Sequence, residues 1–238
     1  MPPPAAAITK GHRPEPEWEI RLLSFSMGDV LRRARDLGAK RAVRTLLVNS
    51  MFRMPGRDDL HIRLRRVVTA RKVTAFLTLK MPGGRFELES ESEVADAVQA
   101  ETMLAMMGCV RVHTMEKFRD VIDVPGMGEI ALDSHPGLPP LLEVECATER
   151  KLHILVKKLG LAMPPPGALP SPQQLYAELY GVSDARDRSG DLTFANPSNI
   201  PEHVTKNRRR FEQRLRAQRA EAQALMRRHG MDSKLAIP

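Results

Sequence analysis

The chain has 238 residues, enough for one large domain or two small ones, and 42% of them are hydrophobic. No run approaches the roughly 20 apolar residues that span a bilayer, and "MPPPAAAITKGHRPEPE" lacks the basic-then-apolar order of a secretory signal. Two cysteines, Cys109 and Cys146, are too few for a disulfide framework or a four-ligand zinc site, and a formal charge of +8 favours polyanionic partners without naming one. The expectation is a cytoplasmic protein whose two thiols are free and buried.

The first strand is expected in "EPEWEIRLLSF", Glu15 to Phe25, where Glu17, Glu19 and Arg21 alternate with Trp18, Ile20 and Leu22. Ser26 and Asp29 read as a helix start, and Val30, Ala34 and Leu37 keep helical spacing up to Gly38. Strands follow in "VRTLLVNSMFRM", "LHIRLRRVVTA", "KVTAFLTLKM" and "RFELESE", with a glycine-containing turn at "MPGGRF". Ser90 and Glu93 suggest a capping box for a helix buried along Val94, Ala97, Leu104 and Met107. Strands resume at "VRVHTMEKFRDVIDV", turn at Pro125-Gly126, and continue as "GEIALDS" and "PLLEVECAT". Thr148 starts a helix with Leu152, Leu155, Val156 and Leu159 on one face. "MPPPGALPSP" cannot continue that helix, a short helix spans Gln173 to Leu179, and "GVSDARDRSGD" is loop-like. A long basic helix is expected from about Pro201.

Nearly every strand has one apolar and one charged face. Arg63 and Arg65 share a face, as do Thr78 and Lys80, Arg85, Glu87 and Glu89, Lys117 and Arg119, Glu129, Ala131 and Asp133, and Glu143 and Glu145. The opposite parity carries Ile62, Leu64, Leu77, Leu79, Phe86, Leu88, Ile130, Leu132, Leu142 and Val144. The charges come as acid with acid and base with base, which repel unless a ligand lies between them. Paired carboxylates can hold a divalent cation, and paired Arg and Lys can hold phosphate oxygens. A flat sheet with its charged face in water would explain the alternation too. Amphipathic helices need a surface, however, and the apolar strand faces supply one. About eight antiparallel strands can close around a small ligand. The physical reading is an α+β fold: a closed eight-stranded antiparallel β-barrel, or tunnel, with a charged lumen and helices packed outside.

"EWEIR", "IRLR", "LTLK", "ELE", "EKFR", "EIALD" and "LEVE" occur in the order seen in the CYTH superfamily, the triphosphate tunnel metalloenzymes, which residues 15–180 resemble. Known members have an eight-stranded antiparallel tunnel and act on triphosphates with Mg²⁺ or Mn²⁺, as inorganic, thiamine- or RNA triphosphatases or as class IV adenylyl cyclases. The resemblance implies that Glu17, Glu19 and Glu145 hold the metal with Glu143 beside them. It assigns the phosphate oxygens to Arg21, Arg63, Arg65, Lys80, Arg85, Lys117 and Arg119. Asp133 becomes the candidate for a second metal or for orienting a water, Glu143 and Lys80 are catalytic candidates, and Glu87 and Glu89 form a supporting acidic pair. Arg21 stands where the family usually has Lys, which exchanges a point charge for a planar fork.

The expected activity is metal-dependent hydrolysis of inorganic tripolyphosphate or of a nucleoside or thiamine triphosphate. The alternatives are an adenylyl cyclase, and a non-catalytic polyphosphate- or nucleotide-binding module. His61 and His113 share parity with the luminal residues, with a structural or mouth-facing role favoured, and the methionines read mostly as packing. Residues 1–14 read as a flexible N-terminus, 15–180 as the tunnel domain, 181–200 as a linker and 201–238 as a basic helical extension with an apolar seam of Val204, Phe211, Leu215, Ala222 and Leu225. That extension is either a solvated helix or a contact for RNA or polyphosphate. No membrane contact is expected, and oligomeric state is not legible.

Overall fold

The computed structural model describes residues 15–41, 44–82, 87–165, 171–182, 190–197 and 200–231. In chain order these form β1 (Glu15–Leu22), α1 (Met27–Asp36), β2 (Lys40–Arg41), β3 (Thr45–Arg53), β4 (His61–Val68), β5 (Val73–Pro82), β6 (Glu87–Val94), α2 (Ala97–Met106) and β7 (Val110–Val124). They continue as β8 (Gly128–Ser134), β9 (Leu141–Cys146), α3 (Glu149–Lys158), α4 (Pro172–Tyr180), α5 (Ile200–His203) and α6 (Arg208–Arg227). Residues 1–14, read as a flexible N-terminus, lie outside the described residues, as does most of "GVSDARDRSGD".

Eight antiparallel strands make one strongly curled sheet with helices on its outer side. The order is β7-β3-β4-β5-β6-β1-β9-β8, β8 also pairs with β7, and two-residue β2 adds a ninth strand on β7. The ladders are uneven. β4 and β5 share eight register pairs, from His61↔Lys80 to Val68↔Val73, whereas β1 and β6 share three, Glu15↔Glu89, Pro16↔Leu88 and Glu17↔Glu87. The described residues therefore show a tunnel-like curl rather than an evenly laddered closed barrel.

The apolar strand faces turn outward and most lie under helices, while Val73, Leu79, Val110 and Val112 stay exposed. α1 and α3 cover Ile20, Ile122, Ile130, Leu132, Leu142 and Val144. α2 covers Phe52, Ile62 and Leu64 through Ala100 and Leu104. α4 and α6 cover Leu46, Val48, Val68 and Phe118 through Leu175, Tyr176, Tyr180, Phe211, Leu215, Ala222 and Met226. Residues 201–231, read as an extension, thus supply part of the core that backs β3 and β7. The basic helix itself begins only at Arg208, after the short α5.

Local chemistry explains most helix starts. Ser26 caps α1 by accepting from the Asp29 N–H at 3.4 Å, and Thr148 caps α3 by accepting from the Lys151 N–H at 3.2 Å. Ser171 and Gln174 form a reciprocal capping box, with Pro172 at the first position of α4. The expected box of Ser90 and Glu93 does not exist: β6 runs on to Val94, and Asp96 caps α2 by accepting from Val98 and Gln99. Ser90 lies within the β5 ladder, where Leu79↔Ser90 pairing outweighs a local capping preference. Met107 lies outside α2's packed stripe and is exposed, as are Met103 and Met106, so these methionines are not core packing.

Two connections position the interior. β8 reaches β7 only from Phe118 onward, and residues 191–194 take the edge before it. There the Glu116 N–H donates to the Leu192 carbonyl at 2.9 Å, and the Leu192 N–H donates to the Thr114 carbonyl at 2.8 Å. An otherwise open edge is thereby covered. The loop after β8 turns at Gly137, whose φ is +75° and where a Cβ would meet the Phe211 ring at 2.2 Å. Its carbonyl accepts from the Tyr180 hydroxyl at 2.6 Å. Cys109 and Cys146 are free and buried. No helix among the described residues is long and apolar enough to cross a membrane.

Candidate functional site

Because the outward parity is committed to the helices, the inward parity carries the charges. Register aligns them across strands: Arg63↔Thr78↔Glu91, His61↔Lys80↔Glu89, Arg119↔Asp133 and Arg21↔Glu143. The like pairs seen along each strand are therefore largely neutralised across strands. Sequence spacing shows repulsion along a strand but not the partner supplied by the next one.

One cluster spans β7, β8, β9 and β1. Arg119 grips Asp133 in a fork, Nε to Oδ1 at 2.7 Å and a terminal nitrogen to Oδ2 at 2.6 Å, and also donates to Glu143. Lys117 donates to the same Asp133 Oδ2. Arg21 bridges Glu143 at 3.0 Å and Glu19 at 2.9 Å. Asp133 is fully buried. Burial opposes its charge, but Lys117 and Arg119 outweigh it and hold the carboxyl well below the usual range. Burial pulls the Lys117 ammonium down, and Asp133 offsets only part of that. For Arg21 burial again works against the charge, and Glu19 and Glu143 prevail.

A second cluster spans β4, β5 and β6. Arg63 meets Glu89 at 3.2 Å and Glu91 at 3.4 Å, and it donates to the Thr78 hydroxyl at 3.2 Å. Thr78 passes its own proton toward Glu91 at 2.7 Å, and Lys80 pairs with Glu89.

Arg65 lies between the clusters and is treated differently. Its Nε donates to the neutral Asn49 Oδ1 at 3.1 Å, and its nearest carboxylate, Glu91, is 4.0 Å away. Burial, then the like charges of Arg63 and Arg119, pull its pKa down to about 10. Among the described residues this is the luminal guanidinium with least compensation.

A third feature is a row of acid opposite acid: Glu19↔Glu145, Glu145↔Glu129 and Glu129↔Asp123 are successive register pairs on β1, β9, β8 and β7. Like charges directly opposite are costly. The donor chemistry suits a hard divalent cation, although no group of three or more His, Cys, Asp or Glu is gathered to hold a metal among the described residues. Asp133, a candidate for a second metal, has both oxygens engaged by Lys117 and Arg119. Glu17 and Glu87 face each other in the β1–β6 register, but their side chains, and all of Arg85, lie outside the described residues.

His61 is exposed, at the end of its ladder. His113 is half-buried, with burial pushing its pKa down. Four interior residues were not picked out as site residues from sequence. Glu91 ends the strand "RFELESE" on the parity of Glu87 and Glu89. Asn49 is the polar interruption in "LLVNSMF" on the inward parity. Thr78 was seen only as a face neighbour. His135, fully buried beside Lys117 and Asp133 and held neutral with a pKa pushed down to about 3 by burial and then Lys117, has no sequence signal.

No family model matches the sequence, and no curated protein matches it either. Solved structures do. A candidate adenylate cyclase from Vibrio parahaemolyticus superposes with a TM-score of 0.57 at 16% identity, over 69% of this chain and 99% of that one. The PH1012 protein of Pyrococcus horikoshii matches with a TM-score of 0.51 at 20% identity, over 62% and 91% of the two chains. The PH1819 protein of the same organism matches at 0.50 and 22%, over 61% and 92%. The class defined here is a curled antiparallel sheet with charges inside and apolar faces outside. Its fold is the one these three solved structures share.

Proposed function

We propose that the chain is a metal-dependent enzyme that hydrolyses a triphosphate held inside the curled sheet. The observation that carries this reading is Arg65, a buried guanidinium between two ion-paired clusters whose own nearest hydrogen-bond acceptor is neutral. A cation only weakly compensated beside other cations lowers its free energy by donating to phosphate oxygens. Arg63 and Arg119 lie near enough to act on the charge of Arg65, Lys80, Lys117 and Arg21 share the inward parity, and each guanidinium keeps donors beyond those its carboxylate uses.

Charge builds on bridging and leaving oxygens during phosphoryl transfer, and fixed donors around them need little reorganisation. Asp133 holds Lys117 and Arg119 side by side, Glu143 links Arg119 to Arg21, and Glu89 holds Lys80 beside Arg63. As a triphosphate takes over these cations, their carboxylates lose partners and the interior gains negative charge. Glu17, Glu19 and Glu145, with Glu129 adjoining in register, are the residues that would hold Mg²⁺ or Mn²⁺. The divalent cation, when bound, neutralises phosphate oxygens and lowers the pKa of an attacking water.

Cyclisation of ATP to cyclic AMP is the second reading, supported by the description of the Vibrio neighbour. The same cations would serve it, with a ribose hydroxyl as nucleophile and pyrophosphate leaving. Incubating the purified protein with tripolyphosphate, ATP or thiamine triphosphate, each with Mg²⁺ or Mn²⁺, separates the readings by product. Orthophosphate supports hydrolysis, cyclic AMP with pyrophosphate supports cyclisation, and binding without turnover leaves a polyanion-binding module.

A further inference from the structure

We propose that the outward face of α6 is a docking surface for the phosphodiester backbone of a nucleic acid. The inner face of the helix is fixed by Phe211, Leu215, Gln218, Ala222 and Met226, all buried. At 3.6 residues per turn the opposite ridge carries Arg209, Gln213, Arg216, Ala220, Ala224 and Arg227, all exposed. Arg210 and Arg228 flank it and are exposed too. None of these five arginines makes an ion pair among the described residues.

The two acids on the helix do not cancel this charge. Glu212 lies 3.8 Å from Arg208, and Glu221 is held by Arg44 at 2.8 Å. The ridge therefore carries net positive charge, with a rise of 1.5 Å per residue setting Arg209 about 10 Å from Arg216 and about 27 Å from Arg227. Isolated exposed arginines gain little from one another, but a row on a rigid element can meet successive backbone phosphates and release their counterions. Ala217, Ala220 and Ala224 keep the surface low between the guanidinium groups, so a broad ligand can lie close. A shallow recess bounded by Arg209, Glu212, Gln213 and Arg216 lies on this ridge, with the Glu212 carboxylate at its edge. The fork-shaped guanidinium groups, set on one face of a rigid helix, suit the phosphates of an extended polyanion.

This surface is on the outer side of the sheet and does not depend on the triphosphate reading. The test is fluorescence anisotropy of the full chain with a labelled 20-nucleotide RNA bearing a 5′-hydroxyl, single-stranded and as a duplex, across a salt series. The wild type and the triple variant Arg209→Gln, Arg216→Gln, Arg227→Gln are compared. The wild type is expected to bind with log affinity falling linearly in log salt. The variant is expected to lose tenfold or more at low salt and about two units of slope, since each phosphate contact contributes somewhat under one unit. Its melting temperature and any tripolyphosphate turnover should match wild type. Equal RNA binding by both proteins would overturn the proposal, as would wild-type binding to poly-glutamate but not to RNA.

Discussion

Gln218 and Gly137 lie 81 residues apart in the chain and meet in one hydrogen bond, the Gly137 N–H donating to the Gln218 Oε1 at 2.7 Å. The Gln218 Nε2 donates to the His135 and Leu138 carbonyls at 3.1 and 3.2 Å. One buried side chain of α6 thus fixes the loop that joins Asp133 to Glu143. Gln218→Ala should cost about 2 to 3 kcal/mol in urea unfolding, because the buried Gly137 N–H and Leu138 carbonyl lose this partner and the His135 carbonyl keeps only the Leu138 N–H. Gln218→Glu should cost more, since it sets oxygens against two carbonyls. A loss under about 0.5 kcal/mol for the alanine variant would contradict the clamp.

Deleting the chain from Arg208 onward removes Phe211, Leu215, Ala222 and Met226 from the core over Leu46 and Phe118. The shortened protein should be insoluble or unfolded by circular dichroism. A folded, monodisperse product would show that the tunnel stands without α6.

Asp133→Asn takes the shared anion from Lys117 and Arg119 and leaves two cations adjacent in a buried site. A loss of about 3 to 5 kcal/mol is expected, as when one member of a buried ion pair is removed. Glu143→Gln should cost less, because Arg119 retains its fork on Asp133. Reversal of that order would mean Glu143 is the principal counter-charge.

Arg65→Gln should leave stability unchanged or slightly higher, since it removes a cation beside Arg63 and Arg119. Tripolyphosphate affinity by calorimetry should fall at least tenfold. Unaltered affinity would mean that the triphosphate does not sit between the two clusters.

Glu19→Gln removes one charge from the acidic row with little change of shape. If that row holds the divalent cation, turnover should nearly vanish at ordinary Mg²⁺, while the melting curve stays close to wild type. Wild-type turnover would remove Glu19 from the metal set.

Glu116 offers a pH test independent of catalysis. Burial raises its pKa above that of the unfolded chain, although its carboxylate accepts from the Phe194 N–H at 2.8 Å. The folded state holds that proton more tightly, so the contribution to stability is full below the unfolded pKa and declines as pH rises through the folded value. Glu116→Gln keeps an oxygen for Phe194 and should remove that decline. Parallel pH–stability curves for the two proteins would show that Glu116 titrates normally.

The alternation of charged and apolar residues in "EWEIR", "HIRLRR", "LTLK" and "LEVE" was enough to read the strands, their two faces and an interior rich in charge. That information is local, because side chains alternate every residue wherever a strand lies. Which acid neutralises which base was not local. Asp133 reads alone as a metal or water ligand, and only the β7–β8 register shows it between Lys117 and Arg119. Likewise Ser90 and Glu93 imitate a helix cap until β5 recruits them into a ladder. The weak compensation of Arg65 depends on Asn49 from β3 and on Arg119 two strands away around the curl. Sequence therefore determined the strands and the chemical character of each face through backbone periodicity. Tertiary structure decided the partners, because register and curvature bring together residues from distant parts of the chain, and pairing energy depends on that separation.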